Sequence, residues 1–204
     1  MDQGNPDQVE RLLTALKPYA DQLAGVIHLT AYYDFRNKAD KRYTQLEETF
    51  PQLLEGLDAL LPAGRPILHS SSMAAMEPTE PGCPLLASSP RIGSWAYPQH
   101  KLRMERIIES LDLNRPMAEL VLAGVYSDRA ELVPLYQQIE RIRRRHPEAL
   151  FLPGKADRGL TYVHVEDVAD AFAKALIKLR DQPRVHRLLI GCLLYTSPSP
   201  RDVE

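Results

Sequence analysis

Cysteine is almost absent. Cys83 and Cys192 are the two in 204 residues, far apart in the chain. That excludes a disulfide framework, leaves no thiolate cluster to hold a metal, and makes a reduced cytoplasmic protein the expectation. Long hydrophobic runs are missing too. None approaches the roughly 20 residues that a membrane span needs, and Met1 to Pro6 does not read as a signal peptide. No sign of charge dominates: 25 Lys and Arg stand against 27 Asp and Glu, which argues against a polyanion-binding surface. The one basic cluster, Arg141 to Arg145, follows Leu132, Leu135, Ile139 and Ile142 at helical spacing. It reads as the cationic end of a helix, where the helix dipole favours positive charge. Glycine is sparse, ten residues in all, and neither GxGxxG nor GxxGxxG occurs. The sequence therefore offers no Gly-rich turn to cradle a pyrophosphate.

What is present is a regular alternation of helical and strand-like segments. Asn5-Pro6 reads as an N-cap followed by proline at the first helical position, with Val9, Leu12, Leu13 and Leu16 behind it. Gly25 to Ala31 reads as a short buried strand. Residues 40–61 carry Leu46, Phe50, Leu53, Leu54 and Leu57 on one side of a helix, with a kink or break expected at Pro51. Pro66 to His69 is a second strand, running into Ser70-Ser71-Ser72. A long Pro- and Ser-rich loop leads to a helix over 96–111. A strand over 118–125, a helix over 131–146, a strand over 161–165, a helix over 166–179 and a strand over 187–190 complete the series. The strands are short apolar runs rather than alternating ones, as in sheets buried on both faces. The expectation is an α/β fold with a mostly parallel, doubly wound sheet. From Cys192 onward the chain turns Ser- and Pro-rich and does not continue the pattern. Residues 192–204 are read as a non-native tail similar to translated sequencing-adapter sequence, and 1–191 as one domain.

The chemistry centres on Tyr97-Pro98-Gln99-His100-Lys101. Four residues apart on a helix, Tyr97 and Lys101 share a face. An ammonium beside a phenol favours the phenolate, and a phenol so tuned can exchange a proton with a carbonyl or alcohol oxygen. A solvent-facing Tyr–Lys pair is the plain alternative. Ser72 lies at the C-terminal end of a strand, where open parallel sheets place their ligands; a polar strand end is the alternative there. His28, His69 and His164 sit in or beside strands and read as core or pocket-lining residues, so no metal site is expected. Tyr32, Tyr33 and Phe35 follow the first strand, and Trp95 precedes the Tyr97 helix. Each reads either as pocket lining or as ordinary packing.

The Ser72, Tyr97, Lys101 order resembles the catalytic set of the short-chain dehydrogenase/reductases, and the spacing of Ser72 and Tyr97 is similar to that of their extended branch, the NAD-dependent epimerase/dehydratase family. Val26-Ile27-His28-Leu29-Thr30-Ala31 resembles that family's VIHLAA strand. Tyr162 to Ala171 is similar to its YVHVDDVADA segment, and Ala123-Gly124-Val125-Tyr126 to its RPGxVYG segment, with Leu122 and Ala123 in place of Arg and Pro. The resemblance implies a partial Rossmann-type sheet lacking the first βαβ units, with NAD or NADP as cofactor and a small-molecule substrate. It implies Tyr97 as general acid/base, Lys101 on the nicotinamide ribose, and Ser72 orienting the substrate oxygen. Asp2, Thr30, Ala31 and Ala123 would lie along the cofactor. Tyr32, Tyr33, Phe35 and Trp95 would line the substrate pocket, which tips the reading toward a reductase over a sugar-nucleotide epimerase. The intact parent would be the enzyme, possible as a homodimer. This chain, with an exposed edge where the first strands belong, is expected to be unstable and inactive. The alternative is a binding or regulatory protein that kept the fold without the chemistry. Where the family has an Asn on the helix after VIHLAA, this sequence has Glu47, Glu48 and Thr49. The residues that separate NAD from NADP are not in the sequence.

Overall fold

The computed structural model describes residues 2–34, 38–80, 83–129, 133–150, 161–182 and 185–191. Five helices and six strands lie within them: α1 (Pro6–Leu16), β1 (Val26–His28), α2 (Lys41–Leu60), β2 (Ile67–Ser72), α3 (Ala96–Ser110), β3 (Met117–Leu122), β4 (Gly124–Tyr126), α4 (Val133–Arg143), β5 (Tyr162–His164), α5 (Val165–Lys178) and β6 (Val185–Ile190). The main sheet has the order β1-β2-β3-β6 and every pair is parallel. A second parallel pair joins β4 to β5. Parallel strands must be linked by crossovers, so helices end up on both faces.

Both faces are covered here. On one side, Val9 of α1 and Phe50, Leu53, Leu54 and Leu57 of α2 pack with Met104 and Ile108 of α3 over Ile67 and Met117 of the sheet. On the other, Val168, Phe172 and Ala175 of α5 meet Leu68, Ala118 and Leu120. Alternation along β2 and β3 explains the division, since successive residues point to opposite faces. The expected α/β architecture with a parallel sheet is what the chain forms.

The helix starts are legible in local chemistry. The Asn5 side chain accepts hydrogen bonds from the N–H groups of Asp7 and Gln8 at 2.9 and 3.4 Å, and Asp40 accepts from Arg42 N–H at 2.9 Å. These satisfy donors that a first helical turn leaves free.

Two expectations are corrected. The helix is not broken at Pro51: α2 runs across it for 20 residues. Proline removes one backbone donor, and the buried row of Phe50, Leu53, Leu54 and Leu57 on either side of it supplies tertiary packing that outweighs the loss. The strand expected over 118–125 is two strands. Ala123 N–H makes a last bond to Ile190 O at 2.9 Å, and Gly124 N–H turns instead to Thr161 O at 3.0 Å. The chain leaves one sheet for the other at that point. Gly124 permits it, because a Cβ there would stand 2.8 Å from the Tyr162 ring.

At the end of α4 the basic residues are paired locally, Arg143 and Arg144 with Glu140 and Arg141 with Glu148. Among the described residues no helix is long and apolar enough to cross a membrane. The expectations for Phe35 and for residues 192–204 lie outside the described residues.

Candidate active site

β2 delivers three consecutive serines to the C-terminal edge of the sheet, and α3 lies across them. Tyr97 opens α3 with its phenol close enough to the Ser72 side chain for that hydroxyl to favour the phenolate. Lys101, one turn on, donates from Nζ to the Ser70 carbonyl at 2.8 Å and lies 5.9 Å from the Tyr97 ring centroid. Ser72, Tyr97 and Lys101, chosen from sequence alone, therefore meet at one place. Ser72 also turns the chain, its Oγ accepting from Ala74 N–H at 3.2 Å.

The electrostatics differ from the simplest expectation. Burial pushes the Tyr97 phenol above its ordinary value; the Ser72 hydrogen bond opposes this, and Tyr33 and Tyr43 add to it. Lys101 was expected to pull the phenol down. Its ammonium is instead directed at a backbone carbonyl, and with 2 % exposure it is itself lowered to about 8 by desolvation. At neutral pH the pair is thus a protonated phenol above a mostly charged ammonium.

Of the aromatic residues expected to line a pocket, Tyr33 reaches the site. Its ring meets Tyr97 edge to face, 4.8 Å between centroids at 86°. Tyr32 is turned to other partners. Its hydroxyl accepts from Arg42 at 2.6 Å, the same guanidinium lies 3.8 Å over its ring, and Tyr43 packs at 5.1 Å. Trp95 is the N-cap residue of α3 and is 40 % exposed. Thr30 and Ala31 follow β1 after Leu29, half-buried and exposed respectively. Ala123 is buried between β3 and β4. Asp2 is exposed at the entry to α1, its carboxylate accepting from Gly4 N–H at 2.9 Å.

Sequence reasoning missed the polar layer beneath the site. His28 and His69 pair Nδ1 to Nδ1 at 2.9 Å, and His28 Nε2 lies 2.8 Å from Gln3 Oε1. His100, fully buried beside Lys101 on α3, pairs with Glu47 at 2.7 Å; Arg103 holds the other Glu47 oxygen at 2.6 Å. Glu47 thereby occupies the region where the family resemblance led to an Asn. Burial is the chief cause that keeps His28, His69 and His100 below the ordinary imidazole value, and the Lys101 charge adds to it. On the far side, Ser71 donates to Glu105, which pairs with Arg91, and Arg187 joins Glu119 to Glu109 at 3.0 and 2.8 Å. The available signal was spacing: Glu105 stands four residues after Lys101, as Lys101 does after Tyr97. Among the described residues no three His, Cys, Asp or Glu side chains gather to hold a metal ion.

The model of the NAD dependent epimerase/dehydratase family matches residues 4–191. No curated protein matches the chain. Similar solved structures include a UDP-N-acetylglucosamine 4-epimerase from Methanobrevibacter ruminantium in complex with UDP-N-acetylmuramic acid (TM-score 0.69, 18% identity, 94% of this chain and 59% of that one). A UDP-N-acetylglucosamine 4-epimerase from Bacillus cereus follows (0.67, 18%, 90% and 60%). A UDP-glucose-4-epimerase from Stenotrophomonas maltophila with bound NAD and formylated UDP-arabinopyranose is also similar (0.64, 18%, 94% and 61%). The chain thus spans about 60% of the length of these structures.

Proposed function

This chain belongs to the NAD dependent epimerase/dehydratase family, and on that premise we propose that Ser72, Tyr97 and Lys101 form the proton-transfer half of an NAD(P)-dependent site acting on a hydroxyl or carbonyl carbon. The observation that carries the reading is the meeting of Tyr97, Ser72 and Lys101 at the open C-terminal edge of a parallel sheet, where the Ser72 side chain acts on the Tyr97 phenol and the buried Lys101 ammonium holds the Ser70 carbonyl.

The residues fit the nicotinamide–ribose end of a dinucleotide. An ammonium has three donors, and the Ser70 carbonyl takes one of them, so Lys101 has donors to offer a ribose diol. Ala31 and Ala123 would flank the cofactor at the strand ends without bulk, and Thr30 and Asp2 would lie along the same cofactor, Asp2 next to the Gln3 that reaches His28. Nothing in this sequence corresponds to the Gly-rich pyrophosphate turn. When bound, the nicotinamide supplies the hydride chemistry.

The chain's own residues do the rest. Ser72 orients the substrate oxygen toward Tyr97. The phenol, kept protonated by burial, gives its proton to a carbonyl oxygen as that carbon is reduced and takes it back in the reverse direction. Lys101, its ammonium anchored on the Ser70 carbonyl, would offer its remaining donors to the cofactor ribose. Tyr33, edge-on to Tyr97, closes one side of the substrate space. Sugar nucleotides such as those of the similar structures and bulkier apolar ketones are both compatible with an aromatic wall of this kind.

The test is direct. In the intact parent enzyme, with NAD(H) and a sugar-nucleotide or ketone substrate, Tyr97→Phe lowers kcat about 10²- to 10⁴-fold while NAD(H) affinity stays within about twofold of the unsubstituted enzyme. Undiminished turnover in that variant removes Tyr97 from the mechanism. Independently, millimolar NAD+ should perturb the amide resonances of Ala31, Ser72 and Ala123 in the full chain; a spectrum that does not respond overturns the cofactor assignment.

A further inference from the structure

Tyr97, Lys101 and Glu105 repeat every four residues, so they form one stripe along α3. Each faces a different serine of the β2 tip: Lys101 donates to the Ser70 carbonyl, Glu105 accepts from the Ser71 hydroxyl, and the Tyr97 phenol lies within the influence of the Ser72 side chain. We propose that Glu105, clamped by Arg91, is a positioning residue that fixes where α3 holds the Tyr97 hydroxyl relative to Ser72. The inference rests on the assignment of Tyr97 and Ser72 as the reacting pair.

Glu105 is 2 % exposed, yet it is a carboxylate. A buried carboxylate persists only with partners, and these come from three separate elements. Ser71 is in β2. Arg91, its side chain 12 % exposed, is in the loop between β2 and α3 and pairs with Glu105 directly. Arg187, in β6, lies 3.8 Å away. Arg91 also stands 3.9 Å from Glu119 of β3. An apolar side chain at position 105 would fill the space but would let the helix slide or roll along the strand. The Ser71 hydrogen bond and the Arg91 ion pair to one carboxylate select one position.

Arg91 has a second consequence. It closes the long connection that begins at Ser72 and ends at Tyr97. The ends of that loop are already drawn together: Met76 and Arg91 form an antiparallel bridge, Glu77 N–H donates to Pro90 O at 2.8 Å, and Ile92 N–H donates to Ala75 O at 3.1 Å. The guanidinium anchors this neck to α3 from within. Glu105 therefore touches both routes between Ser72 and Tyr97, the loop through Arg91 and the strand–helix contact through Ser71, where it adds to the Lys101 bond on Ser70.

The test reads the Tyr97 hydroxyl itself and needs no turnover. The full chain is labelled with 13Cζ-tyrosine, Tyr97→Phe assigns the resonance, and Ser72→Ala gives its position once the Ser72 bond is gone. Glu105→Gln is expected to move the Tyr97 signal at least half of the way toward the Ser72→Ala position. It should also speed exchange of the Ile92 amide at least about tenfold. Ser71→Ala, a milder change that keeps the Arg91 pair, should move the Tyr97 signal the same way and leave Ile92 protected. Arg91→Lys should retain most of the protection that Arg91→Gln loses. Leu54→Ala, in the core under α2, lowers stability without moving Tyr97. The proposal is overturned if Glu105→Gln and Ser71→Ala both leave the Tyr97 signal in place, or if Leu54→Ala shifts it equally. Failure of Tyr97→Phe to affect turnover would sink the catalytic reading alone and leave these signals as they are.

Discussion

His28 and His69 face each other across β1 and β2 with their Nδ1 atoms 2.9 Å apart. One ring must donate and the other accept, so the pair holds with both imidazoles neutral. Burial, assisted by Lys101, lowers His28 to about 4 and His69 well below its ordinary value. In the unfolded chain both would bind protons near pH 6.5. Between about pH 4 and 6.5 the unfolded state thus binds more protons, and stability rises with pH across that window. Urea unfolding at pH 7 and pH 5 should show the loss. A His28→Leu/His69→Leu double variant should flatten it, while His69→Leu alone costs about 1–3 kcal/mol at pH 7 by stranding the His28 nitrogen. A double variant as acid-sensitive as the parent would show that other groups govern the acid limb.

Lys101 predicts a slope of the same sign in alkaline solution. Its folded value of about 8 lies below the ordinary 10.5 because it is buried. From about pH 8 to 10.5 the unfolded chain holds a proton that the folded chain has released, so stability rises with pH there. Below pH 8 the buried charge costs on the order of 3 kcal/mol. Lys101→Met should remove the rise while other alkaline effects remain. Equal slopes in parent and variant would place the ammonium in a better-solvated setting than its 2 % exposure implies.

The sequence made the catalytic pairing legible because helical spacing is short-range. Tyr97 and Lys101 lie four apart on a helix, and Ser72 ends a strand whose apolar run is plain. The doubly wound sheet was legible for a related reason: Ile67-Leu68 and Leu120-Val121-Leu122 are short apolar runs between helical segments, as strands buried on both faces tend to be. What stayed hidden depends on register. Glu119 falls opposite His69 on one side and Arg187 on the other, and nothing local says that positions 69, 119 and 187 are neighbours. The break at Ala123 was hidden for the same reason, since it is set by where β6 ends and β5 begins. Tyr32 and Tyr33 were inseparable in sequence; successive residues point apart, so one reaches Tyr97 and the other Arg42.

Leu54 is fully buried in the layer between α2 and the sheet. Leu54→Ala leaves a cavity among Val9, Phe50 and Met104 that side chains on three helices cannot collapse to fill. The expected cost is about 2–5 kcal/mol. Ile177→Ala, at a position 75 % exposed on α5, should change stability by less than about 0.5 kcal/mol. Denaturant unfolding of both variants compares them directly. Similar losses at the two sites would mean that α5 buries Ile177 against something.

Glu119 gives a prediction of opposite sign. It is fully buried in β3, and desolvation raises it to about 7, against the pull of Arg187 and Arg91 and with the push of Glu109. The unfolded value is 4.5. Between about pH 4.5 and 7 the folded state therefore binds the extra proton. The stability Glu119 contributes is fully present below pH 4.5 and is lost as pH rises through 7. Glu119→Gln keeps the shape and one acceptor but cannot ionise. Arg187 retains Glu109 at 2.8 Å, so the substitution does not strand it. The variant should gain on the parent steadily over that window, by up to on the order of 3 kcal/mol at pH 8. The measurement is the difference in unfolding free energy between the two proteins at pH 4.5, 6, 7 and 8. A constant difference would mean that the two arginines keep Glu119 ionised throughout, with Coulombic attraction outweighing the cost of burial.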